Sequence, residues 1–180
     1  MSRRYNFFIT GGKMKKIRRL QHDMKCLADR VKQANFFYLP HLGEVIKWLT
    51  CYDEELKKLG INVDFDRHLN FNYRTILAKE RARLEYAEQV LKGLRTGQII
   101  QNRQTLLDRA YHSLGEQRGR IDDSIYKIED VRYDIEEKYS SNAMKAAARA
   151  DMKCGYYFHN YEFEYTEISL EDVLEETPDE

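Results

Sequence analysis

Seven cations crowd the first nineteen residues of this chain: Arg3, Arg4, Lys13, Lys15, Lys16, Arg18 and Arg19. Tyr5, Phe7 and Phe8 lie among them. Cationic side chains neutralise phosphates and exposed aromatic rings stack on bases, so this is the composition of a nucleic-acid or anion-binding surface. The other end has the opposite character. Glu162, Glu164, Glu167, Glu171 and Asp172 accompany a Tyr-rich stretch, and carboxylates spaced along a stiff surface imitate phosphates or dock on a basic partner. A formal net charge of zero hides this polarity: residues 1–34 hold ten Lys/Arg against two Asp/Glu, and residues 151–180 hold one Lys against ten Asp/Glu. Either the ends fold against each other or each addresses its own partner. The purely structural alternatives are core aromatics with self-paired cations at the N-terminus, and a charged edge strand with a solvated tail at the C-terminus.

Metal and catalytic chemistry finds less support. His22-Asp23 invites comparison with helical metal-dependent phosphohydrolases, but those need a histidine upstream and His22 is the first in the chain. His22 and Cys26, four apart, share a helix face and could supply half of a zinc site, which Cys51 or His41 would have to complete; the structural alternative, a small buried thiol beside an exposed histidine, is favoured. Asp122, Asp123, Glu129, Asp130, Asp134, Glu136 and Glu137 are interleaved with Arg120, Lys127, Arg132 and Lys138, the pattern of surface ion pairs rather than a carboxylate metal site. No glycine-rich phosphate loop, GxSxG elbow or HExxH motif occurs. No catalytic residue, metal or cofactor is therefore expected.

The apolar pattern defines the elements that carry these groups. Ile100, Leu107, Leu114, Ile121, Ile128 and Ile135 stand seven apart, the spacing of a helix whose one edge meets a partner turn after turn. The second row of that seam, Arg103, Ala110, Gln117, Ser124, Val131 and Lys138, is poor in aliphatics and argues against a self-zipping dimer. Gly115 and Gly119 each cost about 1 kcal/mol against Ala inside a helix. The heptad phase nevertheless crosses both, so the helix is expected to run through them. Ile17, Leu20, Met24, Leu27, Val31 and Ala34 form the stripe of a first helix over 13–34, whose early cations oppose the helix dipole and so favour an anion nearby. An apolar hinge at 36–39 leads to Pro40, which suits the first turn of a second helix ending at Gly60. A third helix, carrying Tyr73 to Leu94 and capped by Asp66 or Asn72, precedes a turn at Thr96-Gly97. Ser140-Ser141-Asn142 interrupts the pattern before an Ala-rich helix from Ala143 to Lys153 that Gly155 closes. Residues 4–10 alternate β-forming side chains, as do Tyr157, Tyr161, Phe163 and Tyr165 against Glu162 and Glu164; both segments read as strands.

The expected fold is mainly α: elongated antiparallel helical hairpins with a coiled-coil arm, and a small β element formed by the N- and C-terminal strands. A single domain over 1–180 would hold a first helical hairpin at 13–60, a long hairpin arm at 66–139, strands at 3–10 and 156–168, and an acidic tail at 169–180. Apolar runs are too short to span a membrane and the start lacks a signal-peptide core. Three separated cysteines, Cys26, Cys51 and Cys154, do not make a disulfide scaffold. A cytoplasmic, reduced chain is the resulting expectation. The expected function is non-enzymatic: an interaction or adaptor protein, of the small regulatory or virus- or phage-encoded kind, that binds a larger protein partner. The alternatives are a nucleic-acid-binding accessory protein that uses the basic N-terminal helix, and a nucleic-acid-mimicking inhibitor that uses the acidic C-terminus. A homo-oligomer stays open; a membrane partner is not expected.

Overall fold

The computed structural model describes the backbone of residues 2–155 and the side chains of residues 11–155. The expected strand at 156–168, the acidic tail at 169–180 and the candidate partner-binding residues Glu162, Glu164, Glu167, Glu171 and Asp172 lie outside them. The described chain is built from α1 (Ser2–Gln33), a π-helical segment (Ala34–Tyr38), α2 (Leu39–Lys58), α3 (Phe65–Leu69), α4 (Tyr73–Arg95), α5 (Arg103–Tyr139) and α6 (Ser141–Cys154).

The expected β element is the first correction. Residues 3–10 are helical, part of α1, and no strand occurs among the described residues. Alternation misled here because Tyr5, Phe8 and Ile9 are also three and four apart, a helical spacing. A helix already nucleated beyond residue 13 extends cheaply, gaining one hydrogen bond for each residue fixed. Gly11 and Gly12 stay inside α1. The apolar hinge at 36–39 is likewise not a loop: residues 34–38 are wound as a π-helix that leads straight into α2.

The heptad seam needs a second correction. Leu107, Leu114, Ile121, Ile128 and Ile135 are all buried in α5, but Ile100 precedes the helix and is 71% exposed. α5 is continuous through Gly115 and Gly119. The second row, unpromising by composition, is also buried at Ala110, Gln117, Ser124 and Val131. The buried amide of Gln117 donates through Nε2 to the Glu80 carbonyl oxygen at 2.9 Å, so its polarity is in part satisfied inside the core.

The chain divides into two compact units, Met1–Tyr38 with Lys79–Gly119, and Leu39–Ala78 with Arg120–Glu180. α4 and α5 each contribute to both. In the first unit, three contacts fix α1 and the π-helical segment beside the first half of α5. Gln104 Nε2 donates to Asp23 Oδ2 at 2.7 Å, the Arg30 guanidinium lies 5.4 Å from the Tyr111 ring centre, and that of Arg118 lies 5.8 Å from the Tyr38 ring centre. Both series ascend together, so these two stretches run parallel. On α5 the steps are seven and seven; on the α1 side they are seven and then eight. The π-helical segment takes up the extra residue, because its wider turn holds one more residue than an α-helical turn. The same segment turns Phe36 and Phe37 outward, 72% and 67% exposed. At the far end of this unit, Ile99 N–H donates to the Gly93 carbonyl at 3.0 Å and its side chain rests on Gly93.

In the second unit α2 packs on α6. Ala143, Ala146, Ala147 and Ala150 give α6 a smooth buried face that permits close approach. Trp48, fully buried, stacks on Tyr52 at 4.8 Å and donates through Nε1 to Asp151 Oδ1 at 2.6 Å. The buried Arg132 guanidinium lies 4.8 Å from the Trp48 ring centre, and its Nε bonds Glu136 Oε1 at 2.8 Å. Phe65 and Tyr73 continue the aromatic cluster from Tyr52. Two buried carboxylates of α2 face cations. Asp53 meets Lys57 at 3.2 Å, Arg74 at 3.5 Å and the Tyr73 hydroxyl at 3.3 Å. Glu55 meets Lys58 at 3.1 Å and also Lys153. Burial by itself would raise the Glu55 carboxyl; hydrogen bonds from Lys153 and Lys58, reinforced by their charge, outweigh it and hold its pKa below the ordinary value.

Local signals end the helices as their residue types require. Gly60 adopts a φ of 77° after α2, and Ile61 N–H reaches the Leu56 carbonyl at 2.9 Å. Asn72 Oδ1 accepts from Arg74 N–H at 3.0 Å and caps α4, whereas Asp66 accepts from Tyr73 N–H at 3.1 Å and Asp64 caps α3.

Candidate anion-binding groove

The basic residues of α1 stand on its uncovered half. Residues 11–19 are all exposed, Lys13, Lys15, Lys16, Arg18 and Arg19 among them. Of the expected stripe, Leu27 on α1 and Ala34 at the start of the π-helical segment are fully buried, and Leu20, Met24 and Val31 are half-buried. Met14 and Ile17 are 47% and 52% exposed. Arg3 and Arg4 belong to the same helix. Spacing of three places Lys16 with Arg19 on one edge and Lys15 with Arg18 on another.

The Lys16–Arg19 edge borders a concavity of about 450 Å³ lined by Lys16, Ile17, Arg19, Leu20, Arg103 and Gln104. Three cations thus surround an apolar floor. Arg103 and Gln104 open α5, whose first helical bond runs from Leu106 N–H to the Asn102 carbonyl at 2.9 Å. The amides of residues 103–105 therefore have no partner within the helix and add partial positive charge. Among the described residues, Arg19 is the one cation of the 13–19 cluster with an ion pair, to Asp23 at 3.6 Å. Gln104 holds that carboxylate in turn, bridging Asp23 and Asp108 at 2.7 and 2.9 Å. Arg103 is the member that sequence reasoning missed, having assigned it to the heptad seam. Its signal was positional: it is a further cation at the positive end of a helix.

One turn along, His22, Asp23, Cys26, Asp108, Tyr111 and His112 line a second concavity of about 270 Å³. His22 Nε2 and Cys26 Sγ are 3.6 Å apart, as helix spacing required. Cys51, considered as a distant partner, instead neighbours Cys154 at 3.2 Å. Among the described residues no three His, Cys, Asp or Glu side chains are grouped so as to hold a metal ion. Of the acidic residues of α5, Glu136 pairs with Arg132, and burial raises the Glu129 carboxyl, with Asp130 beside it adding to the effect. No described helix is long and apolar enough to cross a membrane.

No family model, curated protein sequence or solved structure matches this chain.

Proposed function

We propose that the chain is a non-enzymatic interaction protein that binds the phosphate backbone of a nucleic acid through the basic groove of α1 and the start of α5. The observation that carries this reading is the convergence of Lys16, Arg19 and Arg103 on one concavity. Lys13, Lys15 and Arg18 are exposed on the same stretch of helix. Cations held at fixed spacing on a helix neutralise successive phosphates and release their counterions, so affinity falls steeply with salt. Fluorescence polarisation with labelled duplex DNA and single-stranded RNA, taken from low to moderate salt, tests the reading. Binding at low salt that collapses with salt, and is abolished by Lys15→Glu, Lys16→Glu, Arg18→Glu and Arg19→Glu together, is the expected result. No binding of either polymer at low salt excludes it.

The protein-partner reading rests on a different observation, the outward pair Phe36 and Phe37. Adjacent exposed aromatic rings are the side chains that anchor protein interfaces. Under this reading Phe36→Ser with Phe37→Ser abolishes capture of a protein partner and leaves nucleic-acid binding unchanged.

A further inference from the structure

Cys51 on α2 and Cys154, the last residue of α6, lie 103 positions apart in sequence, yet their sulfurs are 3.2 Å apart. Both are partly accessible. The third cysteine, Cys26, has the His22 ring nitrogen as its neighbour at 3.6 Å. We propose that Cys51 and Cys154 form an oxidisable dithiol, a modification site at which peroxide installs a disulfide that ties α2 to α6.

The two sulfurs have different roles. Cys154 is placed to donate its S–H to Cys51 Sγ, with the Lys47 carbonyl oxygen at 3.7 Å as a second acceptor. Burial pushes the Cys154 thiol up to about 12, and its hydrogen bond to Cys51 adds to this. Cys154 thus keeps its proton, and Cys51 is the sulfur that accepts its hydrogen bond. Lys153 is held charged chiefly by Glu55 and also interacts with Cys51. Asp151 and Lys47 are the other ionisable groups acting on Cys154.

Thiolates rather than thiols attack peroxides. The Cys51 thiolate attacks hydrogen peroxide: an S–O bond forms, the O–O bond breaks and hydroxide leaves. The Cys154 sulfur then attacks the Cys51 sulfenic sulfur: the S–S bond forms, the S–O bond breaks, and the departing hydroxide takes the Cys154 proton as water. Two thiols and one peroxide give one disulfide and two waters. Bond formation requires the sulfurs to close from 3.2 Å to about 2.05 Å. The bridge spans a long stretch of chain and limits the unfolded state accordingly.

The test is peroxide treatment of the native full-length protein, followed by peptide mapping without reduction. The expected product is an intramolecular Cys51–Cys154 disulfide, with the free-thiol count falling from three to one and a thermal midpoint that rises and returns on reduction. Cys26→Ser reacts as wild type. In Cys154→Ser the oxidised Cys51 persists and is trapped by a 1,3-diketone probe, whereas Cys51→Ser gives no such adduct at Cys154. A disulfide that forms only in denaturant, or oxidation that proceeds first through Cys26 or between molecules, overturns the proposal. Equal trapping at Cys154 in Cys51→Ser overturns the assignment of roles.

Discussion

The indole of Trp48 donates to the buried carboxylate of Asp151 at 2.6 Å, joining α2 to α6 across 103 residues of sequence. Asp151 is 2% exposed, so this carboxylate needs its donors. Trp48→Phe keeps a ring in the aromatic stack but removes the N–H. Removing the donor of a buried acceptor costs about 1–3 kcal/mol. Trp48→Phe is expected to lower unfolding stability by that amount, measured by urea denaturation followed by circular dichroism. An unchanged urea midpoint would show that the bond contributes nothing.

Glycine substitutions should act with opposite signs at positions that look alike in sequence. A Cβ on Gly93 would fall 2.6 Å from Ile99 Cδ1 and 2.7 Å from Ile99 Cγ1, while one on Gly115 or Gly119 meets nothing within 4 Å. Gly115→Ala and Gly119→Ala each gain about 1 kcal/mol of helix propensity. Gly93→Ala gains the same, but displaces a packed side chain at a cost of about 1–3 kcal/mol. Thermal unfolding should rise for the first two variants and fall for the third. Destabilisation by either of the first two would mean that α5 bends or is crowded there.

Glu55 makes stability depend on acidity. Its folded pKa lies below the ordinary value of 4.5, so the unfolded chain takes up the proton first as pH falls. The stabilisation from its pairs with Lys153 and Lys58 is complete above pH 4.5 and drains as pH drops through the lower folded value. Glu55→Gln is therefore expected to be less stable than wild type near neutrality, with the gap closing in acid. Denaturation midpoints from pH 7 to pH 3 measure it. A gap that stays constant would remove Glu55 from the acid response.

Arg103 tests whether the groove acts as a unit. If it neutralises a phosphate, Arg103→Ala weakens nucleic-acid binding and lowers the slope of log affinity against log salt by roughly one. Lys92→Ala, also exposed but outside the groove, leaves the slope unchanged. Equal slopes for wild type and Arg103→Ala would place the ligand on α1 alone.

Much of the helical scaffold was legible in sequence because its signals are local. Gly60 ends α2, Asn72 caps α4, and the heptad phase across Gly115 and Gly119 marked an unbroken α5. The failures also have physical causes. Residues 4–10 satisfy both a strand and a helix period, and the adjoining helix decides between them. Gln117 and Ser124 made a poor second seam row by composition, but a carbonyl on α4 accepts from Gln117, and Ser124 bonds back to the Arg120 carbonyl at 2.8 Å. The π-helical segment has no composition of its own; its extra residue is seen only when α1 is set against α5. The candidate groove was half legible. Its α1 cations were evident from charge density, while Arg103 needed the fold to bring it to them. Trp48 and Asp151, like Cys51 and Cys154, meet only after α2 and α6 have packed.

The side-by-side course of α1 and α5 also sets an order of events during synthesis. Asp23 leaves the ribosome 81 residues before the Gln104 that holds it. At translation speeds of about 5–20 residues per second, that is a wait of roughly 4–16 s. Through that interval the cationic helix is present without its companion. A polyanion at the site of translation would meet α1 before the rest of its unit has been made.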